Sequence, residues 1–122
     1  MIGGYYAKLA LEMGAAKHKN AFAYGVIDGY LVTFYEGAGS KSVYVNYALT
    51  DGSEKQLADL QRISAWIQAA SGEAKIAGYA VQDEGAEIRF KDTFGTPDRI
   101  RKLLPQLLAY LAELGVPGAQ VC

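Results

Sequence analysis

The chain has 122 residues with 12 Lys+Arg, 13 Asp+Glu, one His and one Cys, so its formal net charge is only −1. With 51% hydrophobic and 20% charged residues, it has the composition of one folded, soluble domain, which buries roughly two thirds of the surface its unfolded chain exposes. The charge argues against a dedicated nucleic-acid binder, the apolar runs fall short of the ~20 residues of a membrane helix, and a lone Cys makes no internal disulfide and no zinc site by itself.

In chain order, Tyr5, Leu9 and Met13 recur at i, i+4 and i+8 and predict a short helix from about Gly4 to Lys17. Gly14 and the polar run Lys17-His18-Lys19-Asn20 end it. Phe22, Tyr24 and Val26 then alternate with Ala23, Gly25 and Ile27, the period of a strand. Asp28-Gly29 tolerates the positive φ angles of a type I′ turn and returns the chain through Tyr30 to Glu36. After a looser turn, Gly37-Ala38-Gly39-Ser40-Lys41, a third strand carries Val43, Val45, Tyr47 and Leu49. These strands form an antiparallel meander.

Asp51-Gly52 breaks the strand, and Ser53-Glu54-Lys55-Gln56 has the spacing of a capping box. Leu57, Leu60, Ile63 and Ile67, with Trp66 beside them, mark the second helix, and Gly72 fits its left-handed end. Lys75 to Val81 and Ala86 to Lys91 read as a hairpin around Gln82-Asp83-Glu84-Gly85. Ile88 and Phe90 face one way there, Glu87, Arg89 and Lys91 the other, so one side is wet. Thr96-Pro97-Asp98 opens the last helix with a cap, a first-turn proline and an acid. Its stripe of Ile100, Leu103, Leu104, Leu107, Leu108, Leu111 and Leu114 stops at Gly115 and Pro117, and Pro105 predicts a kink near Arg101.

The expected fold is therefore a single α+β domain over residues 1–115, in the order α-β-β-β-α-β-β-α, an antiparallel sheet with helices packed against it. Residues 116–122 read as a tail ending in Cys122: either a frayed end or a linker cut from a longer chain. Met1-Ile2-Gly3-Gly4-Tyr5 lacks the basic start and apolar core of a secretory signal and the Gly-first lipidation motif, so a cytoplasmic location is expected.

The candidate chemistry is thin. Glu36-Gly37-Ala38-Gly39-Ser40-Lys41-Ser42 departs from a phosphate loop, because Ser40 separates Gly39 from Lys41 and a strand follows where the phosphate site needs a helix N-terminus. His18 stands between two lysines with no carboxylate to orient it and reads as an exposed loop residue. Cys122 has no nearby base or helix N-terminus to activate it. Asp83-Glu84 belongs to a turn, Glu87 and Asp92 flank basic residues on a wet strand, and Lys55, Arg62 and Arg99-Arg101-Lys102 read as solvated helix faces. No acid, base or metal constellation assembles.

The unusual count is tyrosine, nine against four Phe and one Trp. Tyr24, Tyr30 and Tyr47 fall on the faces carrying Phe22, Val32, Phe34, Val43 and Val45. Tyr35 and Tyr44 fall on the opposite faces with Ile27 and Leu31, and Tyr79 lies on the strand after the second helix. Neither side of the sheet is clearly polar, so these six residues are either core or candidate interface.

This order of elements resembles the fold of type III secretion chaperones and of the broader chaperone-like α+β proteins, from the helix near Tyr5 to the one ending near Leu114. The resemblance rests on element order. It implies a homodimer without catalysis, built on the helix beginning at Ser53 and the strand from Ala77 to Val81, and a surface that holds an extended partner segment. Such chaperones are markedly acidic, whereas this chain is nearly neutral. The expected function is a non-enzymatic protein-binding or self-association domain. It is expected to be homodimeric, with a protein or peptide partner and no cofactor, metal, nucleic acid or membrane insertion. The alternative is a small-molecule sensory module with a pocket between the sheet and the leucine-rich helix, lined by tyrosine hydroxyls.

Overall fold

Backbone periodicity sorts the chain into helices and strands much as expected. The computed structural model describes residues 4–19, 22–37, 40–49, 54–91 and 95–118. Helix α1 (Gly4–Met13) leads into strands β1 (Lys17–Lys19), β2 (Phe22–Ile27), β3 (Tyr30–Gly37) and β4 (Ser40–Asn46). Helix α2 (Glu54–Ala74), strands β5 (Ile76–Gln82) and β6 (Gly85–Phe90) and helix α3 (Thr96–Glu113) follow. The expected α+β order is present, with one addition. The polar run expected as a loop forms β1, which lies along β2 at the edge of the sheet.

The sheet is antiparallel throughout, in the order β1-β2-β3-β4-β6-β5. Helix α1 packs on β2 and β3, α2 packs on β5, and α3 touches both other helices, so the helices form one layer on one side. Their shared interior holds Tyr6, Leu9, Phe34, Ile63, Ile67, Ile88, Phe90 and the buried stripe of α3 from Ile100 to Leu111. Tyr6 meets Phe34 edge to face with ring centroids 5.7 Å apart, a favoured aromatic geometry.

Helix ends follow backbone conformation more closely than the glycine pattern suggests. Gly14 (φ 112°) and Gly115 (φ 77°) are left-handed and close Schellman caps. At α3 the Gly115 amide bonds the Ala112 carbonyl and the Val116 amide bonds Leu111, each at 3.0 Å. Helix α2, however, runs through Gly72 to Ala74, and the left-handed residue after it is Lys75, with φ 54°. Its buried face also differs from the expected stripe. Leu57 is 60% exposed and Asp59 is 2% exposed, its carboxylate held by Lys55 at 2.6 Å and Arg62 at 3.3 Å. The buried face of α1 runs through Tyr6, Leu9 and Ala10; the side chain of Tyr5 lies outside the described part, as do Ser53 of the capping box and Asp92.

Thr96 is the first residue of α3, not its cap. Gly95 holds the cap position, and the Thr96 hydroxyl donates to the Lys91 carbonyl at 2.7 Å. Pro105 stays exposed inside one uninterrupted helix. The expected tail is docked as far as Gly118. Val116 is buried, the Ala48 amide donates to the Pro117 carbonyl at 2.9 Å, and Gly118 bridges Tyr47. Cys122 lies outside the described residues.

Candidate functional site

The site begins with a turn. Asp28 (φ 51°) and Gly29 (φ 87°) form the tight connection between β2 and β3, and Ile27 pairs directly with Tyr30 across it. Paired residues share a face, and strand side chains alternate, so this pair sets the parity of both strands. Ala23, Gly25 and Ile27 therefore join Tyr30, Val32 and Phe34 under the helices. Phe22, Tyr24 and Val26 join Leu31, Thr33 and Tyr35 on the other side.

This reverses the expected grouping of β2, in which Phe22 and Tyr24 sat with Val32 and Phe34. Size explains the reversal. The end of α1 comes so close to β2 that a Cβ on Gly25 would strike the Gly14 carbonyl oxygen and the Ala15 Cα. Only a small residue fits there, and the large rings of β2 are left facing outward.

No helix covers that outward face among the described residues. On β2 and β3 it is apolar: the Phe22 and Tyr24 rings lie tilted with centroids 6.0 Å apart, Val26 is 59% exposed and Tyr35 46% exposed. Toward β6 it becomes polar, with Tyr44, Asn46, Glu87 and Arg89. Two glycines let large side chains lie flat there. The Tyr44 ring covers Gly85, and the Arg89 guanidinium covers Gly78, each where a Cβ would overlap it. Glu87 pairs with Arg89 at 3.6 Å. Burial, then the carboxylates of Glu84 and Glu87, push the Tyr44 hydroxyl above its usual range.

The structure divides the six candidate tyrosines equally. Tyr24, Tyr35 and Tyr44 stand on the uncovered face. Tyr30 (4% exposed) and Tyr47 (1% exposed) belong to the core, and their hydroxyls donate to the carbonyls of Val116 at 2.5 Å and Gln82 at 2.6 Å. Tyr79 also faces the helices and donates to the Gln68 side-chain oxygen at 2.8 Å. Tyr6, on α1, behaves like the core pair and donates to the Ser42 carbonyl. Burial raises the hydroxyls of Tyr6, Tyr30 and Tyr47 above the ordinary tyrosine range. Their polar atoms are committed to the fold. Phe22, Val26 and Leu31 complete the face and were not singled out by sequence. Carrying the parity across the Asp28-Gly29 turn finds them.

His18 lies on β1 opposite Ala23. A cleft of about 280 Å³ opens between α2 and α3, lined by Ala70, Ala74, Leu103 and the charged residues Glu73, Asp98, Arg99 and Lys102. It lies in the helical layer, and no tyrosine lines it. The Lys102 ammonium bonds Glu73 at 2.7 Å and holds that carboxyl below the usual carboxylate range. No helix among the described residues is long and apolar enough to cross a membrane. No protein-family model matches the chain, and no curated protein matches it.

Proposed function

We propose that this chain is a non-enzymatic protein-binding domain that self-associates through the uncovered face of its sheet. One observation carries the reading: all helices lie on one side, while Phe22, Tyr24, Val26, Leu31 and Tyr35 stand together on the other. A contiguous aromatic and aliphatic surface of this kind marks an interaction site on a folded domain. Tyrosine suits that role because its ring adds contact area at low entropic cost while its hydroxyl tolerates water. The core tyrosines support the reading from the other side, since their hydroxyls donate to backbone carbonyls inside the fold.

Sedimentation velocity over a concentration series tests this reading. The wild type is expected to dimerise, Tyr35→Glu on the open face to be monomeric, and Leu11→Glu on the exposed side of α1 to dimerise like the wild type. A wild type that stays monomeric into the high micromolar range overturns the reading.

A further inference from the structure

The turn between β2 and β3 contains a chemically fragile link. In an Asp-Gly pair the glycine nitrogen, unhindered by a side chain, can attack the carboxyl carbon of the aspartate before it. Asp28 and Gly29 are both exposed, and open space surrounds the position of a Gly29 Cβ. Their φ angles of 51° and 87°, with Ile27 paired to Tyr30 across them, match a type I′ turn, whose ideal values are about 60° and 90°.

In such a turn ψ of the first residue is about +30°. The Gly29 nitrogen then lies nearly opposite the Asp28 Cβ across the Cα–C bond, whereas ring closure needs the two on the same side. The native turn therefore holds the reacting atoms apart. The C-terminal segment clamps this turn. Gly118 lies so close that an added Cβ would overlap the Gly29 carbonyl oxygen, and the Tyr30 hydroxyl donates to the Val116 carbonyl at 2.5 Å.

We infer that Asp28 is a site of isoaspartate formation gated by the docking of residues 116–118. Docked, the segment keeps the turn unreactive; released, it lets the turn open and react. In the first step the Gly29 nitrogen bonds to the Asp28 Cγ, and the amide proton leaves with the carboxyl hydroxyl as water. A second water then cleaves the bond from that nitrogen to the Asp28 main-chain carbonyl carbon. That carbonyl becomes the free carboxylate, and Gly29 hangs from Cγ with no net change in mass. The backbone is now one carbon longer, which a two-residue turn cannot hold while Ile27 and Tyr30 stay paired. The Gly29 carbonyl leaves Gly118, so modification and release favour each other, as coupled sites must.

The test follows the tryptic peptide of residues 20–41, whose only aspartate is Asp28, during incubation at neutral pH. The isoaspartyl form has the same mass and separates by chromatography. In the folded wild type it is expected to accumulate at least about tenfold more slowly than in concentrated urea, because only the opened fraction reacts. Gly118→Ala is expected to speed it about fivefold. Ile63→Val, which loosens the buried face of α2 far along the chain, should leave the rate within about twofold of wild type. Purified protein carrying the isoaspartate should lose amide-exchange protection at Ala48, which donates to the Pro117 carbonyl. Equal rates folded and in urea, or a Gly118→Ala rate no faster than wild type, overturn the inference. So does equal acceleration by Ile63→Val, which would make global unfolding the gate.

Discussion

Gly118→Ala probes whether the C-terminal segment is part of the domain. An added Cβ would collide with the Gly29 carbonyl oxygen, which belongs to a left-handed turn that has little freedom to move. The segment must peel away locally, losing its bridge to Tyr47 and the bond from the Ala48 amide to the Pro117 carbonyl. At about 1 kcal/mol for each backbone hydrogen bond, the cost is about 2 kcal/mol. It stops there because Val116 stays anchored upstream by Tyr30 and by the α3 cap. Against a total stability of roughly 6–18 kcal/mol for 122 residues, the domain remains folded. The melting temperature should fall by about 8 °C, from the average unfolding entropy per residue. Urea unfolding gives the energy, and amide exchange gives the location: the Ala48 amide should lose protection while the Val116 amide keeps it. Wild-type stability together with a protected Ala48 amide would refute the reasoning.

Two further outcomes test the fold away from the interface. Gly72 sits inside α2 with open space around its absent Cβ, so Gly72→Ala should stabilise the protein by about 1 kcal/mol through helix propensity; an unchanged urea midpoint would place the helix end at Gly72 after all. The raised hydroxyls of Tyr6, Tyr30 and Tyr47 bind their protons more tightly folded than unfolded, so their contribution is intact below about pH 10 and is lost as pH climbs through the folded-state values. Absorbance titration should therefore show part of the nine tyrosines ionising only as the protein unfolds in alkali, and nine equivalent, reversible titrations in the folded state would contradict the hydroxyl assignments.

Sequence by itself determined the elements and their order, apart from the short edge strand β1. Alternation in β2, β3 and β4, the Asp28-Gly29 turn and the leucine stripe of α3 are local patterns, and there local preference agrees with the global fold. Where long-range contact outweighed local preference, only the tertiary structure decided. Helix α2 runs past Gly72 because continued packing as far as the buried Ala74 outweighs one residue's propensity. Val116 to Gly118 joins the domain because the Tyr30 hydroxyl, the Ala48 amide and Tyr47 receive it from distant parts of the chain. The nine tyrosines make the same point. Hydrophobic size would bury Phe22 and Tyr24, yet the close approach of α1 admits only Ala23 and Gly25 and turns the large rings outward. Composition counted the tyrosines, but sheet parity and helix contact sorted them into core and face, because a side chain's environment depends on what packs opposite it.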